Sequence, residues 1–222
     1  MLTETSGRGA EDLAAELEGL RGVDWASVWE GPPQGGSSEC RAWCGRYGWE
    51  PQTADRNLAV HSRAGGDWTL EAGGNWHPVR RLTHWAWRLS ADEASENPGL
   101  LTRAADEWPE FLKATENVLG PAAWSGPWDA PDFPEPPEDG FWEDREFRLE
   151  TRTPYRMAYW TPVGEHPGQA VIVLAQSVSF AAWTSAMPGT SVLQLTVHAP
   201  EGSRRTRTPI GGRASTVGVP PA

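Results

Sequence analysis

The sequence predicts an α+β fold, an antiparallel sheet packed by two or three helices. Three observations carry that expectation. Apolar residues recur at helical spacing in three stretches, and they alternate with polar ones in several others. The chain also runs helices, strands, one long helix, then strands again, the order of an α+β protein. Residues 1–200 read as a single domain, with two similar halves, 10–123 and 145–200, as the alternative. Residues 124–144 read as a Pro-rich acidic-aromatic loop, and 201–222 as a disordered tail.

The first helix is expected over 10–20, where Leu13, Leu17 and Leu20 fall at spacings of four and three. Asp24 to Trp29 adds a further turn that Gly31-Pro32-Pro33 ends. A second helix, 38–47, takes its cap from Ser37 or Ser38 and closes at Gly48. Its inner face carries Cys40, Trp43, Cys44 and Tyr47, with Trp49 folding back onto it. The third helix, 98–119, begins at Pro98 after Asn97 as cap and ends at Gly120-Pro121. Leu101, Ala104, Ala105, Trp108, Leu112, Thr115 and Leu119 form its expected core stripe, and Pro109 its expected kink.

Between these helices the period shortens to two. Asn57 to Arg63, Asp67 to Ala72 and His84 to Ser90 alternate as strands, with Gly65-Gly66 as a hairpin turn between the first two. In the last of them Trp85, Trp87 and Leu89 face the core, and His84 the outside. The closing strands are expected at Arg145 to Arg152, Tyr155 to Thr161, Gln169 to Ser177, Val178 to Thr184 and Ser191 to His198.

Composition narrows the function classes. Fourteen of the 222 residues are tryptophan, a side chain suited to core packing and to interface hot spots. Lys113 is the lone lysine, and the Arg, Gly, Ala and Pro bias points to a high-GC genome such as that of an actinobacterium. The net charge of −11 argues against nucleic acid and anionic membranes, and is compatible with a basic protein partner, although solubility alone also explains it. The start of the chain lacks a basic, apolar leader, and no run approaches the length of a membrane helix. A cytoplasmic protein with reduced Cys40 and Cys44 is the expectation.

No catalytic motif emerges: there is no Gly-x-Ser-x-Gly elbow, and Gly7-Arg8-Gly9 lacks the strand and third glycine of a phosphate loop. Cys40 and Cys44 share a helix face and could hold zinc only with two further ligands from His61, His77 or His84; small core residues are the simpler reading. His166 and His198 likewise show no positioned partner. No cofactor or metal is therefore expected. Trp43, Trp68, Trp85, Trp87 and Trp108 fall on core faces, whereas Trp124, Trp128, Trp142 and Trp76 lie in loop sequence. With Glu135, Glu138 and Asp139 nearby, Trp124, Trp128 and Trp142 either make an acidic-aromatic surface suited to an arginine- or lysine-rich partner or only pin their own loop.

The element order, the Leu119-Gly120-Pro121 helix end and the Trp-bearing strands resemble small uncharacterised actinobacterial α+β proteins, some of which resemble immunity proteins or secretion chaperones encoded near toxins. The resemblance spans residues 40 to 198 and implies a non-enzymatic protein-binding module. The alternative class is a carbohydrate- or small-molecule-binding protein, or a hydrolase, using indole platforms beside Glu135, Glu138 and Asp139. A structural or regulatory protein without a ligand pocket is the third.

Overall fold

The computed structural model describes residues 1–5, 8–33, 37–53, 58–72, 77–137, 140–161, 170–184 and 186–200. The expected disordered tail, 201–222, lies outside the described residues, as do Trp76, Glu138, Asp139 and His166.

The architecture is α+β. Its helices are α1 (Ala10–Gly19), α2 (Trp25–Glu30), α3 (Ser37–Arg46), α4 (Asn97–Leu119) and α5 (Arg145–Thr151). The strands are β1 (Thr3–Glu4), β2 (Trp49–Thr53), β3 (Leu58–Ser62), β4 (Asp67–Ala72), β5 (Val79–Ser90), β6 (Trp124–Pro127), β7 (Arg156–Trp160), β8 (Val171–Val178) and β9 (Thr190–His198). They form one antiparallel sheet in the order β2-β3-β4-β5-β9-β8-β7-β6. Beside β4, the short β1 pairs with the far end of β5. Two meanders thus meet at the β5–β9 pair. Both outer strands carry a proline, Pro51 in β2 and Pro127 in β6. Proline cannot extend a hydrogen-bonded ladder, so each blunts an edge that would otherwise template aggregation.

The main core lies between one sheet face and the helices, joining Leu13 and Leu17 of α1, Trp43 and Cys44 of α3, and Leu100 and Phe111 of α4 to Trp68, Leu82, Trp87 and Leu195. In α4 the buried face runs through Leu100, Ala104, Trp108, Phe111 and Thr115, while Leu101, Leu112 and Leu119 pack at its margin. The helix is continuous through Pro109. Proline removes the N–H that the Ala105 carbonyl would bind; Arg156 Nη1 lies 3.5 Å from that carbonyl, and Gln176 Nε2 donates to the adjacent Ala104 carbonyl at 2.6 Å. Asn97 is the first helical residue rather than the cap. It is buried, and its amide donates to the Thr184 carbonyl and accepts from Gly189 N–H.

Several sequence expectations need correction. Residues 145–151 form α5, not a strand: Asp144 caps it through Phe147 N–H, and Phe147 and Leu149 are exposed. A seven-residue helix is too short for apolar alternation to tell the periods apart. Val178 ends β8, and 180–183 is a 3-10 turn rather than a strand. Strands β2 and β6 have no counterpart among the expected strands: Pro51 in β2, and Gly126 and Pro127 in β6, interrupt the strand signal.

Strand β5 holds the most consequential departure. A bulge between Trp85 and Trp87 shifts its register against β9. One extra residue reverses which side chains face inward. Trp87 and Leu89 keep the core, but His84 is buried on the core side and Trp85 points out, 57% exposed. The core assignment of Trp85 is thus overturned, whereas Trp43, Trp68, Trp87 and Trp108 are buried.

Candidate functional site on the open sheet face

Directly paired residues share a sheet face. Thr69 opposes Thr83, Glu71 opposes Arg81, and Thr196 opposes both Thr83 and Val173, so these side chains line the face away from α1 and α4. The two halves of that face differ. Over β6–β9 residues 128–137 and 140–142 form a roof: Phe133 packs on Met157 and Val173, with Trp124, Ala130, Trp142 and Tyr159 around them. Over β3–β5 no comparable loop packs on the face among the described residues: Trp85 is exposed, Thr69 and Glu71 are half-buried, and Thr83 is buried.

The roof is tied from within. Trp124 donates its indole N–H to Asp132 at 3.2 Å and meets Phe133 edge-on; Trp142 donates to the Pro134 carbonyl at 2.9 Å and packs on Tyr159. Phe141 stacks on His198 with centroids 4.3 Å apart. Beneath the loop lies Arg148 of α5, only 4% exposed. Its guanidinium sits 3.8 Å from the Phe133 centroid and donates to the Trp128 carbonyl. Burial lowers its pKa, and attraction to Glu135 works against that. Arg152 extends the support, lying between Trp128 and Trp183 at 5.4 and 4.6 Å from their centroids.

This arrangement brings together Trp124, Trp128, Trp142 and Glu135 from the predicted surface. The three indoles are half-buried, whereas Glu135 is exposed with Asp129, Asp132, Glu143 and Asp144. Rings face in and carboxylates face out. Of the two cations between 128 and 150, Arg148 is buried and Arg145 exposed. Where loop and bare half meet, Arg81 makes a bidentate pair with Glu71 and donates to the Gly140 carbonyl at 3.3 Å. A cavity of about 210 Å³ opens at this seam, against Trp142, Gln194 and Thr196.

The sequence reading missed a second constellation at the other end of β5. Glu16 of α1 is 2% exposed. One of its oxygens pairs with Arg8 at 3.0 Å; the other accepts from Ser62 Oγ at 2.7 Å and from Trp68 Nε1 at 2.9 Å. His84 stacks on Trp68 with centroids 5.0 Å apart, and its Nδ1 lies 2.9 Å from the Asp67 carbonyl. A Cβ on Gly66 would fall 2.4 Å from Glu16 Oε1 and 2.9 Å from His84 Cε1, so the hairpin approaches this closely only as glycine. Burial lowers the His84 pKa, which favours the neutral ring. The signal was present: Leu13, Glu16, Leu17 and Leu20 are one helical stripe, and a carboxylate within it must meet buried donors.

Elsewhere, Cys40 and Cys44 are buried in the core. Burial, then the neighbouring Cys40, pushes the Cys44 thiol up to about 12, making it a protonated apolar side chain at neutral pH. Among the described residues, no three His, Cys, Asp or Glu side chains converge as a metal site. His61 pairs with Asp67 at 2.8 Å, and His77 Nδ1 with the Glu30 carbonyl at 2.8 Å. No described helix is long and apolar enough to cross a membrane. No family model, curated protein or solved structure matches the chain.

Proposed function

We propose that this chain is a non-enzymatic, cytoplasmic protein-binding module that covers a basic partner with the carboxylates of its roof, in the manner of an immunity protein or secretion chaperone. The observation that carries the reading is the division of the loop into inward rings and outward acids. Asp129, Asp132, Glu135, Glu143 and Asp144 stand exposed on a segment that Arg148, Trp124 and Trp142 hold in one shape. Fixing charges before encounter lowers the ordering cost of binding, and a one-sign surface steers an oppositely charged protein. Acidic residues dominate the whole chain, at a net −11, so the long-range field acts in the same sense. Trp124, Trp128 and Trp142 serve the contact by shaping the ridge, together with their half-exposed edges.

The test is affinity capture from a host lysate with the tagged chain, at about 0.05 M and about 0.5 M salt. One stoichiometric basic protein retained at low salt and released at high salt supports the reading. Retention of no specific protein, or of one indifferent to salt, removes its support.

A further inference from the structure

A slot opens at the break between β1 and β4, away from the roof. Strand β4 pairs with β5 up to His84, and β1 pairs with it from Leu89. Between them β5 carries its bulge, and a cavity of about 430 Å³ opens there. That volume is within the usual range for small-molecule sites.

Its walls are chemically mixed. His84 lines it while 2% exposed. A carbonyl can only accept, so the Nδ1 facing the Asp67 carbonyl carries the ring proton and Nε2 is a bare acceptor. No described residue supplies that nitrogen with a donor. Arg8 engages Glu16 and the Ala64 carbonyl through Nη2 alone, leaving Nη1 as a donor against Gly65 on the slot wall. Thr5 and Thr69 also line it, and the outward Trp85 indole supplies an apolar platform. The wall carries one charge of each sign, Asp67 and Arg8, and Arg8 is already paired with Glu16, so the lining calls for no net charge on a ligand.

A neutral ligand with several hydroxyls and one flat C–H face meets all these demands. We propose that the slot binds a neutral, monosaccharide-sized polyol ring, stacked on Trp85, donating to His84 Nε2 and accepting from Arg8 Nη1.

Saturation-transfer difference NMR on the full chain tests this, with glucose, galactose and N-acetylglucosamine as neutral probes, and glucosamine and glucuronate as charged ones. At least one neutral sugar is expected to receive saturation, and to bind about tenfold more weakly in Trp85→Ala and in His84→Phe, the loss that one hydrogen bond or stacking contact represents. Trp85 is exposed, so Trp85→Ala reads binding even where His84→Phe does not fold; an amide ¹H–¹⁵N spectrum establishes folding of each. No transfer to any neutral sugar, equal transfer in wild type and folded variants, or preference for glucosamine or glucuronate would each overturn the proposal.

Discussion

The bare and roofed halves of the open sheet face are each organised by one buried charge, and the two charges are satisfied differently. Glu16 sits under the first half with three donors on its two oxygens, from Arg8, Ser62 and Trp68. Arg148 sits under the second with one backbone acceptor, a ring face and the distant pull of Glu135, and its Nε has no hydrogen bond. The first arrangement closes a corner of the core among elements that the sheet and α1 already hold. The second holds an irregular segment down on a finished sheet. In this molecule the well-satisfied ion is built into the fold, and the sparsely satisfied one tethers a loop.

The largest expected effect breaks the first half. Glu16→Ala leaves the Trp68 indole N–H and the Ser62 hydroxyl without their acceptor and the Arg8 guanidinium with the Ala64 carbonyl alone, and should destabilise the protein by about 3 kcal/mol or more in urea unfolding. Arg148→Met keeps an apolar stem against Phe133 but loses the bond to Trp128, costing about 1–3 kcal/mol. Its signature is local: proteolysis between 128 and 143 should accelerate more than global unfolding does. Equal acceleration at both would mean that the roof is part of the core, erasing the contrast.

A pH experiment sharpens the same comparison. The His84 pKa is lower in the folded state, chiefly through burial, with Glu16, Arg8 and Asp67 as the charges facing it. The unfolded chain therefore binds the proton more readily. The His84 contribution is complete above the ordinary value of 6.5 and drains as pH falls from there toward the lower folded value, with a slope of up to about 1.4 kcal/mol per pH unit. His84→Phe should flatten that part of the stability–pH curve; an unchanged slope would remove the buried neutral ring from the account. Among the indoles, Trp142→Phe forfeits the bond to the Pro134 carbonyl and should cost about 1 kcal/mol. The smallest effect belongs to Trp85→Phe, whose 57% exposure predicts a change within about 0.5 kcal/mol.

The periodic elements were legible in the sequence, and the irregular ones were not, for reasons visible in particular residues. Leu13, Leu17 and Leu20 marked α1, and Cys40, Trp43 and Cys44 marked α3, because a one-sided apolar stripe has few other uses. The bulge at Trp85 left no trace, since Trp-Ala-Trp reads the same whether or not a residue is extra, and it moved one indole outward and one imidazole inward. Strand β6 was hidden by the proline that fits it to an edge. In the roof, the proline density and the aromatic pins were both legible, but Arg148 was not, because its segment read as a strand with arginine on the wet side. Glu16 was legible in principle, as the polar member of an apolar stripe.

The central claim is that the roof holds its rings in so that its carboxylates stand out for a basic partner. Its most direct test is the affinity of the purified partner for the wild type and for Asp129→Asn/Asp132→Asn/Glu135→Gln, titrated across salt concentration. These side chains are exposed, and the amide at 132 still accepts the Trp124 N–H, so the variant should stay folded. The account predicts binding about tenfold or more weaker at low salt, and a shallower salt dependence. An unchanged affinity with an unchanged salt slope would contradict it.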